Sequence, residues 1–239
     1  MTVRSKVRVR RGARATRFIA DDSSRPGWRA AASPDQMPTP PPPSVALTFD
    51  DGPDPIWTLR VLEALEAASV RATFFVIAPR SAAHPDVVEE LLAAGHDVEL
   101  HCHRHLRHPD TPRGEIERDT DAALAALGCL GIRPQRWRVP WGMEAPWTRE
   151  VAAARGLELE GWSIDTHDWR GDPAAGMLAA ARPYLEPGAV VLMHDGLGPG
   201  ARRGGCEETV ALVPALAEAI RERGLEPGPL STPSPAEAA

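Results

Sequence analysis

A parallel α/β sheet, open or closed into a barrel, is the fold class this chain predicts. Three observations carry that expectation. Strand-like runs near 45–50, 73–78, 97–102, 136–141, 159–165 and 189–195 alternate with helix-like runs between them. Clusters of reactive residues fall at or just after the C-terminal ends of five of those runs, the edge where parallel α/β folds build their sites. The first run also delivers two adjacent carboxylates, Asp50 and Asp51, into the turn Gly52-Pro53.

The elements follow in order. Val45 to Phe49 are strand formers, and the turn residues behind them end the strand. Helix-like runs cover Thr58 to Ala68, Pro85 to Ala94, Gly114 to Leu127, Ala145 to Arg155, Pro173 to Leu185 and Glu207 to Arg223. Pro85 sits where a first helical turn tolerates a missing N–H, and Gly95 where a helix C-terminus takes a left-handed residue. Val210, Leu212, Val213, Leu216 and Ile220 give the last run its helical period, and Gly224 closes it. Residues 1–44 are Arg-rich, then polar, then proline-rich through Pro43. Such a segment cannot bury enough apolar surface to offset its ordering entropy, so it is expected to be a disordered tail. Residues 231–239 are expected to be a second disordered end, leaving 45–230 as one folded domain.

Composition narrows the function classes. The chain has 239 residues, 43% hydrophobic and 25% charged, as a globular domain with a real core should be. Residues 1–17 hold seven Lys/Arg and no acid, which leaves 20 basic against 33 acidic residues, a net of −13, for the rest. An acidic body argues against a nucleic-acid groove, although residues 4 to 17 alone could touch phosphate. Cys102, Cys129 and Cys206 are odd in number and lack CxxC spacing, which favours free thiols and a reducing compartment. No apolar stretch approaches the ~20 residues of a membrane span, and no apolar signal region follows the N-terminal arginines. The expected location is therefore the cytoplasm, with no membrane partner and with oligomeric state left open.

The chemistry rests on a few side chains. His101 and His105 are four apart, so one helical turn would present both imidazoles on one face. With Asp51 they make a two-histidine, one-carboxylate set that leaves room for water on a divalent ion, zinc or cobalt. Asp50 is then the candidate base for that water, and Arg138, from another strand end, could hold Asp50 ionised through a bidentate pair. His194 ends an apolar run and should be partly buried, where a carboxylate such as Asp168 would keep it protonated as a general acid. His84, His96, His103, His108 and His167 are expected at the surface or behind the ligands, with His108 a weaker alternative ligand. Trp28, Trp57, Trp141, Trp147, Trp162 and Trp169 are candidates to line a groove for sugar.

These residues, in this order, resemble the polysaccharide deacetylases of carbohydrate esterase family 4, the NodB-homology domain, over residues 44 to 230. Thr48-Phe49-Asp50-Asp51-Gly52-Pro53 resembles the first motif, which implies Asp50 as base and Asp51 as metal ligand. His101 and His105 match the second, and Trp137-Arg138-Val139-Pro140-Trp141-Gly142 resembles the third, whose Arg orients the base. The third motif also implies that the backbone N–H of Trp141, after Pro140, helps bind a tetrahedral oxyanion. Asp165-Thr166-His167-Asp168-Trp169 resembles the fourth, with Asp168 tuning the acid and Trp169 walling an acetyl pocket. Leu192-Met193-His194 resembles the fifth, with Leu192 at the substrate and His194 as the acid. Cys102 stands where the family usually has Ser or Thr, and Leu106 where it usually has Pro. The resemblance implies a distorted (β/α)7-8 barrel and a metal-dependent hydrolase that deacetylates N-acetylglucosamine-type carbohydrate. An O-acetyl esterase, a cyclic-amide hydrolase and a non-catalytic sugar binder are the alternatives on the same fold.

Overall fold

A computed structural model describes residues 43–230, so the tail and C-terminal expectations for 1–42 and 231–239 lie outside the described residues. Eight strands form one parallel sheet: β1 (Ser44–Asp50), β2 (Thr73–Ile77), β3 (Asp97–Cys102), β4 (Arg136–Trp137), β5 (Glu158–Leu159), β6 (Ile164–Asp165), β7 (Val190–His194) and β8 (Glu226–Gly228). Their spatial order is β5-β4-β3-β2-β1-β7-β6, with β8 added beside β1. The helices are α1 (Trp57–Ala67), α2 (Ala78–Ala83), α3 (Pro85–Ala93), α4 (Arg113–Cys129), α5 (Thr148–Ala153), α6 (Ala174–Ala181) and α7 (Glu207–Arg221).

The two-residue period of a strand sorts the sheet into two faces. Val45, Leu47 and Phe49 of β1 join the main core with Phe74, Val76, Val98, Leu100, Trp137, Val191 and Met193. Val61 and Leu65 of α1, Leu91 of α3, Ile116 and Leu127 of α4, Met177 of α6 and Leu212 and Leu216 of α7 complete that core. The alternate residues of the same strands are Thr48 and Asp50, Phe75, Glu99 and His101, Arg136 and Arg138, and Leu192 and His194. They lie on the opposite face, where Ala46, Phe75 and Leu230 form a smaller apolar cluster. The register sets Asp50 beside His194 on β7 and beside Phe75 on β2. Side-chain alternation therefore collects polar groups on the concave face at the C-terminal edge.

The sheet is a barrel with a gap. The expected strand at 159–165 is two strands, because β5 ends one edge of the sheet and β6 ends the other. Residues 160–163 bridge those edges without a ladder, and the Gly161 carbonyl accepts a hydrogen bond from Arg138 Nη2 at 2.8 Å. The expected strand at 136–141 stops at Trp137, since Pro140 supplies no ladder donor and a single helical turn follows over Pro140–Gly142. The expected helix at 145–155 shortens to Thr148–Ala153. At 173–185 the α-helix gives way to a tight turn at Arg182–Tyr184, where Pro183 interrupts it. Helix α3 starts at Pro85 and is followed by Gly95 at φ 78°, as the sequence indicates.

Candidate active site

Asp50 ends β1 as a strand residue, but Asp51 turns into the left-handed region at φ 74°. Asp tolerates that region better than most residues. The turn brings two carboxylates that strand geometry would send to opposite faces to one place. Asp195 braces it: its Oδ1 accepts the Gly52 N–H at 3.1 Å and its Oδ2 accepts the Thr58 hydroxyl at 2.6 Å. A Cβ on Gly52 would come 2.1 Å from Asp195 Oδ2, so only glycine fits. Burial pushes the Asp195 carboxyl up to about 7. Trp141 (φ 63°) and His167 (φ 58°) take the same left-handed conformation just beyond β4 and β6. Three of the four left-handed non-glycine residues among the described residues thus gather at this edge, Ser69 being the exception.

Asp51 Oδ1 lies 3.4 Å from His101 Nε2 and 3.3 Å from His105 Nε2. Among the described residues this is the one trio of ligand-type side chains near enough to share an ion, all donor atoms lying within 4.8 Å of one another. His101 Nδ1 is 2.7 Å from the Arg138 carbonyl, which can only accept, so Nδ1 carries the proton and Nε2 is left to face Asp51. Asp51 Oδ1 is buried yet has no hydrogen bond. A buried, unsatisfied carboxylate oxygen facing two imidazole nitrogens is the donor set a cation satisfies, so the trio fits a divalent ion. The spacing acts differently from the expected helical turn. His101 is on β3, whereas His105 is in the loop that follows. That loop is shaped by Asp119 of α4, whose carboxylate accepts the N–H groups of His103 and Arg104, each at 3.2 Å.

Arg138 is fully buried. Its Nη1 donates to Asp50 Oδ1 at 2.9 Å and to Thr48 Oγ1 at 2.7 Å, so the contact with Asp50 is single rather than bidentate. The guanidinium is already committed elsewhere, because Nη2 bonds the bridge at Gly161 and the plane lies 4.1 Å over the Phe75 ring. Across the site, His194 Nδ1 bonds Asp168 Oδ1 at 2.7 Å and the His194 N–H bonds Asp168 Oδ2 at 2.8 Å. Burial works against charge on both side chains, but their mutual attraction prevails. The Asp168 carboxylate raises His194 to about 9, and His194, aided by Arg203 and Thr209, holds Asp168 down at about 2.

The cavity between them encloses about 250 Å³ and is lined by Asp50, Asp51, His101, His105, His194, Leu192, three tryptophans and the 196–201 loop. Trp141, Trp162 and Trp169 face it, and Trp141 stacks edge-on to His105 at 5.1 Å. Trp57 instead lies under Arg60, Trp147 stacks on His108, and Trp28 is outside the described residues. Pro140, Arg138 and Asp168 are buried behind the lining. His96 and His108 are not surface residues either. The His96 ring accepts the Ala72 N–H at 3.0 Å, and His108 packs between Trp137 and Trp147 with burial pushing it down to about 4. All three cysteines are free, Cys102 and Cys206 being buried.

Sequence reasoning missed several supporting residues. Arg203 donates to Asp168 Oδ2 at 3.1 Å and to the His194 carbonyl at 2.9 Å, and Thr209 donates to Asp168 Oδ2 at 2.7 Å. Arg80 ties the Asp51 carbonyl (2.7 Å) to that of Leu197 (2.9 Å). Thr48 was within reach of strand logic, being two residues before Asp50 on the same face. Arg203, Thr209 and Arg80 carry no such periodic signal.

No helix among the described residues is long and apolar enough to cross a membrane. The profile of the polysaccharide deacetylase family matches residues 38–160. The chain is 36% identical to a chitooligosaccharide deacetylase of Bradyrhizobium sp. (strain ANU 289), an alignment covering 78% of this chain and 89% of that protein. A family 4 carbohydrate esterase from Streptomyces lividans, solved in complex with acetate, superposes with a TM-score of 0.71 at 28% identity, covering 82% of this chain and 95% of that one. A family 4 pseudoenzyme from Bacillus anthracis superposes equally well, with a TM-score of 0.71 at 20% identity over 80% of this chain and 65% of its own. The fold alone therefore does not settle chemistry, whereas sequence match and fold together settle kinship. The chain belongs to the polysaccharide deacetylase family.

Proposed function

We propose that this protein hydrolyses the acetamido group of N-acetylglucosamine-type oligosaccharides, releasing acetate and a free amine. One observation carries the reading: Asp50 on Arg138 and His194 on Asp168 flank the Asp51-His101-His105 trio in a single cavity. Asp51, His101 and His105 would hold a divalent ion, zinc or cobalt, whose Lewis acidity lowers the pKa of water and polarises a carbonyl. Asp50 accepts a proton from the attacking water, and Arg138, itself held by Thr48, fixes the carboxylate for it. His194, with Nδ1 committed to Asp168, has Nε2 available to protonate the leaving amine. The backbone N–H of Trp141 would stabilise the oxyanion. Trp141, Trp162, Trp169 and Leu192 exclude bulk water and wall the acetyl group. The Bradyrhizobium relative's name supports chitooligosaccharide as substrate, and the acetate bound by the Streptomyces esterase matches the expected product.

The test is acetate release by metal-reconstituted protein from chitooligosaccharides, beside O-acetylated sugars and cyclic ureides. Release from the N-acetyl sugars above all others is the expected result. Hydrolysis confined to O-acetyl esters or ureides would overturn the assignment of the bond while keeping the site.

A further inference from the structure

At the cavity mouth, two guanidinium groups rest on one indole. Arg170 and Arg202 place their guanidinium carbons 5.0 and 5.4 Å from the centre of the Trp169 ring, which itself lines the cavity. Both arginines are exposed, and among the described residues neither has a carboxylate within ion-pair distance. Exposed arginines without a carboxylate partner occur elsewhere, at Arg60, Arg71, Arg118, Arg133 and Arg223, so what sets Arg170 and Arg202 apart is that both stack on one indole that lines the cavity. Their backbones are held together as well. The Arg202 N–H bonds the Trp169 carbonyl at 2.8 Å, and the neighbouring Arg203 is anchored in the Asp168 network. Stacking on the ring restrains each guanidinium while leaving its N–H edge free to bond an anion.

We propose that Trp169, Arg170 and Arg202 form a subsite for an anionic substituent, carboxylate or phosphate, on the sugar next to the acetamido group in the cavity. Arginine's planar fork matches both anions, and two forks on one rim can each give paired hydrogen bonds. The inference rests on the hydrolase reading above and deepens it: the preferred substrate is an anionic N-acetylated saccharide rather than a neutral one. Neutral chitooligosaccharide would still enter, because the residues that line the cavity do not include these two arginines.

The experiment compares chitotetraose, chitotetraose 1-phosphate, and a tetrasaccharide alternating N-acetylglucosamine with its lactyl-carboxylate ether. Kinetics use metal-reconstituted wild type and the double variant Arg170→Gln, Arg202→Gln. Calorimetric Kd values are measured in the Asp50→Asn background, where binding is read apart from turnover. The double variant should raise KM and Kd for at least one anionic sugar about tenfold or more, with kcat little changed, and shift chitotetraose less than about twofold. The anion that responds separates phosphate from carboxylate. Equal shifts for neutral and anionic sugars, or no shift for either anion, would overturn the subsite. No acetate from any sugar, with Kd for an anion still shifted tenfold, would sink the hydrolase reading and keep the subsite.

Discussion

Asp50 and Asp51 are neighbours with the same side chain, and the backbone gives them different work. Asp50 keeps the strand conformation and meets Arg138, while Asp51 turns left-handed and meets two imidazoles. Their places at or just after strand ends made Asp50, His101, Arg138 and His194 legible in the sequence as one edge of one sheet. Thr209 and Arg203 were not legible, because a helix start and an irregular loop bring them to Asp168 by tertiary packing alone. The Asp168–His194 pair makes two predictions. His194 must be protonated to act as an acid, and its pKa lies at about 9, so kcat should fall as pH rises through about 9. Asp168→Asn removes the charge that outweighs burial and should move this basic limb down by about a unit or more. A kcat–pH profile showing the same limb in both proteins would contradict the assignment. The same pair sets a stability window. His194 is raised, so its contribution is full below the ordinary value of 6.5 and is lost as pH rises through about 9. Asp168 is lowered, so its contribution is full above 3.8 and is lost as pH falls through about 2. Urea midpoints of metal-free wild type should therefore decline above pH 6.5 more steeply than those of Asp168→Asn.

Among the elements, the loop after β3 and the bridge between β5 and β6 do most to shape the cavity. The four-residue histidine spacing was read as a helical turn and proves to be a strand end plus a loop. What the spacing could not reveal is Asp119, on α4, which takes the loop's N–H groups. Asp119→Ala should leave the fold intact and weaken metal binding about 10- to 100-fold, as loss of an outer support typically does. A competition titration with a chromogenic chelator measures it. Across the gap, Gly142 sits at φ 63° and a Cβ there would lie 2.4 Å from Trp162 Cη2. Gly142→Ala should displace Trp162 and raise KM for the sugar, with metal affinity unchanged. The bridge itself was misread as one strand because Leu159, Trp162 and Ile164 suggest a strand, although Glu160, Gly161 and Ser163 between them do not. Only the sheet order shows that its two ends belong to opposite edges. Strand β8 was missed for the converse reason. Glu226-Pro227-Gly228 has poor strand propensity, and it pairs because β1 offers an edge.

At the scale of the whole molecule, the parallel α/β class was readable from alternation alone, whereas the degree of closure was not. Helices α1 and α7 cover the outer face behind the site through Val61, Leu65, Leu212 and Leu216, all fully buried. Leu216→Ala should cost about 2–5 kcal/mol, a loss read from chemical denaturation. Its metal affinity should stay near that of wild type, since the core supports the site without entering it.

The central claim is a division of labour between adjacent carboxylates, and one measurement tests it most directly. Metal content and acetate release from chitooligosaccharides are determined together for wild type, Asp50→Asn and His101→Ala. The account predicts that Asp50→Asn binds metal as wild type does while its turnover falls about 10²- to 10⁴-fold, the usual worth of a positioned base, and that His101→Ala loses the metal itself. Wild-type turnover by Asp50→Asn, or full metal content in His101→Ala, would contradict it.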